Sequence, residues 1–186
     1  MAGTASAAIA ALIGIVCALS PKAATNGAAN GNANGAAERA RVTRVHIAKG
    51  AHTMDLLEGD RVVKTYRVAI GPGGRGAKTH EGDEVTPVGR YHVLQRTPSR
   101  YRVFMRLDYP NADDRSRFAR LKASGELPRA ATIGGDIGIH GAPPQAEWKS
   151  VHKLADWTLG CIAVDDAEID EVAAMVKDGT VVDIDD

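Results

Sequence analysis

Three short runs near the start of the folded part of the chain alternate apolar and polar residues. This period of two restricts the fold more than any other feature. Residues 41–48 (RVTRVHIA), 53–58 and 61–70 each read as a strand. The last two are joined by a hairpin at Gly59-Asp60. Further strands are expected at 90–95, 101–107, 133–139 and 180–184. Only two helices interrupt them. One is capped by Asn111 and runs to about Lys122, with Phe118 and Leu121 on one face. The other follows Val164, with Asp165 and Glu168 spaced as a capping box and Ile169, Val172, Ala173 and Val176 forming one apolar stripe. Gly179 ends it. Strands and helices do not alternate, which disfavours a doubly wound parallel sheet. The expected class is mainly β with two helices (α+β).

The loop at 71–84 imitates a nucleotide site. Gly71, Gly73 and Gly76 fit the dinucleotide fingerprint, but the residues after them cannot start the helix whose amides would meet a pyrophosphate. Ala77 separates Gly76 from Lys78 and spoils the phosphate-loop spacing. The loop reads instead as the mobile rim of a site. The 23 basic and 23 acidic side chains balance, which gives no basic field for nucleic acid. No histidine or cysteine pair has metal-ligand spacing, so neither a metal nor another cofactor is expected.

The chain divides into three parts. Residues 1–24 read as a signal peptide or an uncleaved N-terminal anchor, because residues 1–21 carry no charge and 7–19 are continuously apolar. Any membrane association would run through this segment alone. Residues 25–40 are rich in Asn, Gly and Ala and read as a flexible linker. Residues 41–186 form the domain. Cys17 lies in the leader, so the domain holds a single thiol, Cys161.

A lone thiol in an exported protein invites oxidation, and its retention asks for a reason. Taken alone, Cys161 reads as readily as a buried structural thiol, and His140 as a core histidine. Together, on turns flanked by Gly160 and Gly141, they read as a nucleophile and its base. His152 is the rival base. His80, in the glycine loop, is a candidate substrate contact.

Several motifs occur in a set order. Lys78, Gly82-Asp83, Thr86-Pro87-x-Gly89-x-Tyr91 and Tyr109-Pro110-Asn111-x-x-Asp114 come first. Ile139-His140-Gly141 and Asp156-Trp157-Thr158-x-Gly160-Cys161 follow. This series resembles the L,D-transpeptidase catalytic domain (YkuD-type) across residues 42–184. The resemblance implies a β-sandwich-like fold and a Cys161 thiolate that attacks a peptidoglycan stem tetrapeptide after the L-centre of its diamino acid, with the terminal D-residue leaving. An amine acceptor would resolve the thioester, giving 3-3 cross-links or an attachment. The same resemblance implies acylation by carbapenems.

By position, His140 would be the base, the Gly141 carbonyl would orient its ring, and the Gly160 and Cys161 amides would hold the oxyanion. Thr158, Trp157, Lys78 and Tyr91, with His80, would bind substrate. The chain departs from the commoner Ser-His-Gly-Cys-apolar-Arg signature: Thr158, Leu159 and Ala163 replace its serine, histidine and arginine. It resembles instead a Cys-Ile-Ala branch that includes hydrolases. Two alternatives therefore stand beside the transpeptidase: an envelope L,D-carboxypeptidase or amidase-type thiol hydrolase with the same dyad, and a non-catalytic wall-binding module.

Overall fold

The computed structural model describes residues 41–186. The expected leader and linker, with Cys17, lie outside the described residues. Eight strands and two helices follow in the order β1 (Arg44–Ala48), β2 (Thr53–Glu58), β3 (Arg61–Arg67), β4 (Gly89–Ser99), β5 (Arg102–Leu107), α1 (Ala112–Ala123), β6 (Gly138–His140), β7 (Ile162–Ala163), α2 (Asp166–Met175) and β8 (Val181–Asp185). The class is mainly β with two helices.

Alternation places the core as the sequence predicts. Val45 and Ile47 of β1, and Met54 and Leu56 of β2, are fully buried between half-buried neighbours, until a register shift at Leu56/Leu57 buries Leu57 as well. The strand order is β3-β2-β1-β8-β4-β5-β6-β7. Most pairs are antiparallel; β1–β8 and β6–β7 are parallel. Strand β4 serves two sheets. Gly89–His92 pair with β8, and a register shift between Val93 and Gln95 then turns the strand to pair with β5. Beyond β3 the chain meets the opposite end of the order. Ala69 and Ala163 exchange amide–carbonyl bonds of 2.9 and 2.8 Å, which tie β7 back toward β3.

Both helices start where their caps predict. Asn111 and Asp114 form a capping box on α1, and Asp165 and Glu168 form one on α2. Helix α2 packs on β5 and buries Ile169, Val172 and the following Val176 completely. Each such side chain contributes about 2 kcal/mol through burial. Helix α1 is a surface helix whose only buried residue is Asp114, which accepts the Tyr91 hydroxyl at 3.2 Å.

The expected strand over 133–139 shrinks to Gly138–His140. Gly134 and Asp136 sit at φ +74° and +57°, left-handed conformations that a strand cannot hold. No helix begins within the glycine loop, so the dinucleotide fingerprint lacks its required partner element.

Candidate active site

The two parallel strands at the end of the sheet carry the candidate histidine and thiol. His140 closes β6, and Cys161 immediately precedes β7. Pairing of Ile139 with Ile162 places the histidine and the thiol on neighbouring strands, two positions apart. Both line one cleft of about 790 Å³. Gly160 makes the close approach possible. Its φ is +120°, and a β-carbon there would lie 2.8 Å from the Val85 carbonyl oxygen. Gly141 is equally confined, because a β-carbon would lie 2.6 Å from the Tyr101 oxygen.

The histidine is oriented before any ligand arrives. Its ring is 3 % exposed, and Nδ1–H donates to the Gly141 carbonyl at 2.8 Å. A neutral ring so bonded carries its lone pair on Nε2, the form a general base needs. Tyr101 lies against one side with centroids 4.5 Å apart. Phe104 stacks at 6.1 Å, and Trp157 meets the ring edge-on at 5.8 Å. Burial lowers the imidazole pKa below its ordinary 6.5; the Gly141 bond opposes the shift and the nearby His152 adds to it.

The thiol moves in the opposite direction. Burial raises Cys161 above its ordinary 9.0, against a hydrogen bond from Gly138 and the positive charges of Lys78 and Arg106. Sγ lies 3.4 Å from the Asp136 carbonyl, to which a neutral thiol can donate. Both shifts disfavour the charged forms, a thiolate at Cys161 and an imidazolium at His140.

Two loops wall the cleft. On the sulfur side, Lys78 is 4 % exposed and donates to Asp83 at 2.5 Å. The other Asp83 lone pairs take the amides of Thr79, His80 and Val85 at 2.7–3.2 Å. Burial raises the Asp83 pKa, but these bonds outweigh it and leave the carboxyl below its ordinary range. On the imidazole side, His152 Nε2 bonds Asp165 at 2.9 Å, and Lys149 and Lys153 bridge to Asp166, Asp165 and Glu168.

The structure separates the expected substrate residues. Trp157, Thr158 and Lys78 line the cleft; His80 and Tyr91 do not. His80 Nδ1 instead bonds the Thr79 hydroxyl at 2.9 Å. Tyr91 is completely buried against Asp114 and Val88. Thr158 braces the turn. Its hydroxyl donates to the Cys161 carbonyl at 2.7 Å and accepts the Gly160 amide at 3.2 Å. That amide is thus already engaged. The Cys161 amide donates to no acceptor among the described residues.

Tyr101, Phe104, Arg106 and Asp136 escaped the sequence reading. The alternation of β5 could have placed Phe104 and Arg106 on one face, but it could not say that the face is a cleft.

Comparisons with known proteins agree with this geometry. The family model of the L,D-transpeptidase catalytic domain (YkuD) matches residues 42–184. The helical cell shape determining protein Pgp2 from Campylobacter jejuni is 25 % identical, with a TM-score of 0.54 over 77 % of this chain and 47 % of that one. The protein Bd1075 from Bdellovibrio bacteriovorus shares the fold at 20 % identity. Its TM-score is 0.53 over 77 % of this chain and 48 % of that one. The chain thus spans about half the length of these solved proteins. No curated protein sequence matches it.

Proposed function

The chain belongs to the L,D-transpeptidase catalytic-domain (YkuD) family, and we propose that it is an exported enzyme that acylates Cys161 on a peptidoglycan stem tetrapeptide and passes the acyl group to an amine. The observation that carries this reading is the His140 Nδ1–H bond to Gly141, which leaves a basic Nε2 in the cleft that also holds the only thiol of the domain.

The steps follow from that arrangement. Nε2 takes the thiol proton as Sγ attacks the carbonyl of the diamino acid's L-centre. The Cys161 amide donates to the developing oxyanion. The imidazolium returns its proton to the departing nitrogen, and the terminal D-residue leaves as a free amine. A thioester remains. His140 then deprotonates an incoming amine, which displaces the sulfur, and the thiol is regenerated. Lys78 and Trp157 shape the walls of the donor site, while Thr158 holds the turn that presents the thiol.

The test is product analysis by mass spectrometry after the domain is incubated with a stem tetrapeptide and an amine acceptor. The joined peptide is the expected product. Tripeptide alone would replace the amine by water and make the protein a hydrolase. Cys161→Ala should abolish both products. A wild-type protein that binds sacculi but forms neither product would be a binding module.

A further inference from the structure

We propose that Arg106 reads the free carboxylate of the donor's terminal residue. This rests on the reaction proposed above. Strand register places the residue. Arg106 pairs with Gly138 across β5 and β6, and Ile139 pairs with Ile162 across β6 and β7. Stepping back one residue from that second pair sets Arg106, Gly138 and Cys161 in one row across the three strands. At a strand spacing of roughly 4.8 Å, the arginine and cysteine backbones lie about 10 Å apart. The middle position has no side chain of its own; the edge of the Phe104 ring covers it, 2.7 Å from where a β-carbon would stand, so a guanidinium must reach across that ring. The terminal carboxylate of a donor sits one residue beyond the attacked carbonyl, about 3.8 Å along the chain. A guanidinium reaching in from β5 can meet it there.

The surroundings of Arg106 support this role. Phe104, two residues earlier on the same face, stacks on His140, and the Arg106 guanidinium lies over its ring at 5.7 Å. The guanidinium is therefore held by an aromatic surface that a ligand need not displace. Its ionic partner is Asp136, whose side chain is 76 % exposed and whose backbone occupies a left-handed conformation at φ +57°. An exposed ion pair of this kind contributes little and exchanges readily. The Asp136 carboxylate shows where a carboxylate would bind.

The other cleft cations are less suited. Lys78 is buried and committed to Asp83. Arg100 donates to the Tyr101 hydroxyl at 2.6 Å and lies over that ring, on the imidazole side. Recognition of a carboxylate by a planar fork is also the geometry that arginine supplies and lysine does not.

The experiment compares a stem tetrapeptide with its C-terminal carboxamide. Wild type should favour the acid in kcat/KM by roughly 10- to 100-fold, the range expected for charge-assisted hydrogen bonds. Arg106→Gln should lose that factor on the acid, mainly through KM, and little on the amide, so that the preference collapses. Arg106→Lys should retain part of it. Asp136→Asn should lower KM for the acid a few-fold by removing the resident competitor. Equal losses on both substrates in Arg106→Gln would mean a structural role and overturn the inference. A second measurement needs no turnover: calorimetric binding of both peptides to Cys161→Ala, with and without Arg106→Gln. Tighter binding of the acid, abolished by Arg106→Gln, would uphold carboxylate reading even if wild type turned over neither peptide; the proposed reaction alone would then fall. Turnover without discrimination, or binding of neither peptide, would overturn the role of Arg106.

Discussion

The two walls of the cleft are built on opposite plans. The sulfur-side loop closes on itself. Asp83 gathers Lys78 and the backbone amides of Thr79, His80 and Val85 into one shielded knot, and each bond spans at most five positions of chain. The imidazole-side loop is tied outward to the start of α2 through pairs that reach the surface: buried His152 to half-exposed Asp165, and half-exposed Lys149 to Asp166. It also leaves two buried nitrogens, His152 Nδ1 and Trp157 Nε1, without a partner among the described residues. The first plan fixes a charge beside the thiol at the cost of an all-or-none structure. The second can lose single contacts and keep its course. Sensitivity to mutation should therefore differ sharply between two loops that flank the same dyad.

The largest expected contrast is between the two histidines. His140→Ala should lower kcat/KM by roughly 10²–10⁴, the usual loss for a missing general base. His152→Ala should cost less than about tenfold, because that ring packs on Trp157 rather than on His140 and otherwise only helps to lower the His140 pKa. Steady-state kinetics on purified variants decide it; a larger defect in His152→Ala would reverse the assignment of base and wall.

Next comes Asp83→Ala. It strands a buried lysine and should cost about 3–5 kcal/mol in urea unfolding, with loss of the loop. A change below 1 kcal/mol would erase the distinction between the walls. Asp165→Ala removes a helix cap and the shared partner of His152 and Lys153 on the other wall, and should cost about 1–2 kcal/mol in the same measurement. Lys149→Ala, at a half-exposed pair, should shift stability by less than about 1 kcal/mol.

Acidity sharpens the contrast further. The sulfur-side charges of Lys78 and Arg106 pull the thiol pKa down but do not overcome burial. The alkylation rate of Cys161 should therefore climb with pH toward an inflection above 9.0, its ordinary value. A plateau reaching down to acidic pH would indicate a resting thiolate–imidazolium pair. The His140 pKa is depressed, so the folded protein resists protonation where the unfolded chain accepts it. The stability from this group is present above 6.5 and is lost as pH falls below that value. The acid limb of kcat/KM should fall below 6.5 for the same reason.

Much of this was legible in the chain. The alternation of β1 and β2 and the two capping boxes carry local signals that the fold obeys. Cys161 and His140 stand out because glycines flank them, and those glycines meet backbone oxygens that a β-carbon would strike. What the sequence conceals is long-range. Tyr91 sits in a matched motif, yet its service is to Asp114 inside the core. Tyr101 and Arg106 look like ordinary strand residues until β5 pairs with β6 and turns one face into a cleft wall. The strand expected over 133–139 fails because Asp136 adopts a backbone conformation that its residue type only weakly signals.

The most direct test is acid-quench mass spectrometry of the intact domain during turnover of a stem tetrapeptide. The account predicts a thioester adduct carrying the acyl group without its terminal residue. The adduct should map to Cys161, be absent in Cys161→Ala, and form 10²–10⁴ times more slowly in His140→Ala, as expected for a lost base. A wild-type protein that consumes the tetrapeptide with no adduct on Cys161, or an adduct that forms at an unchanged rate without His140, would contradict it.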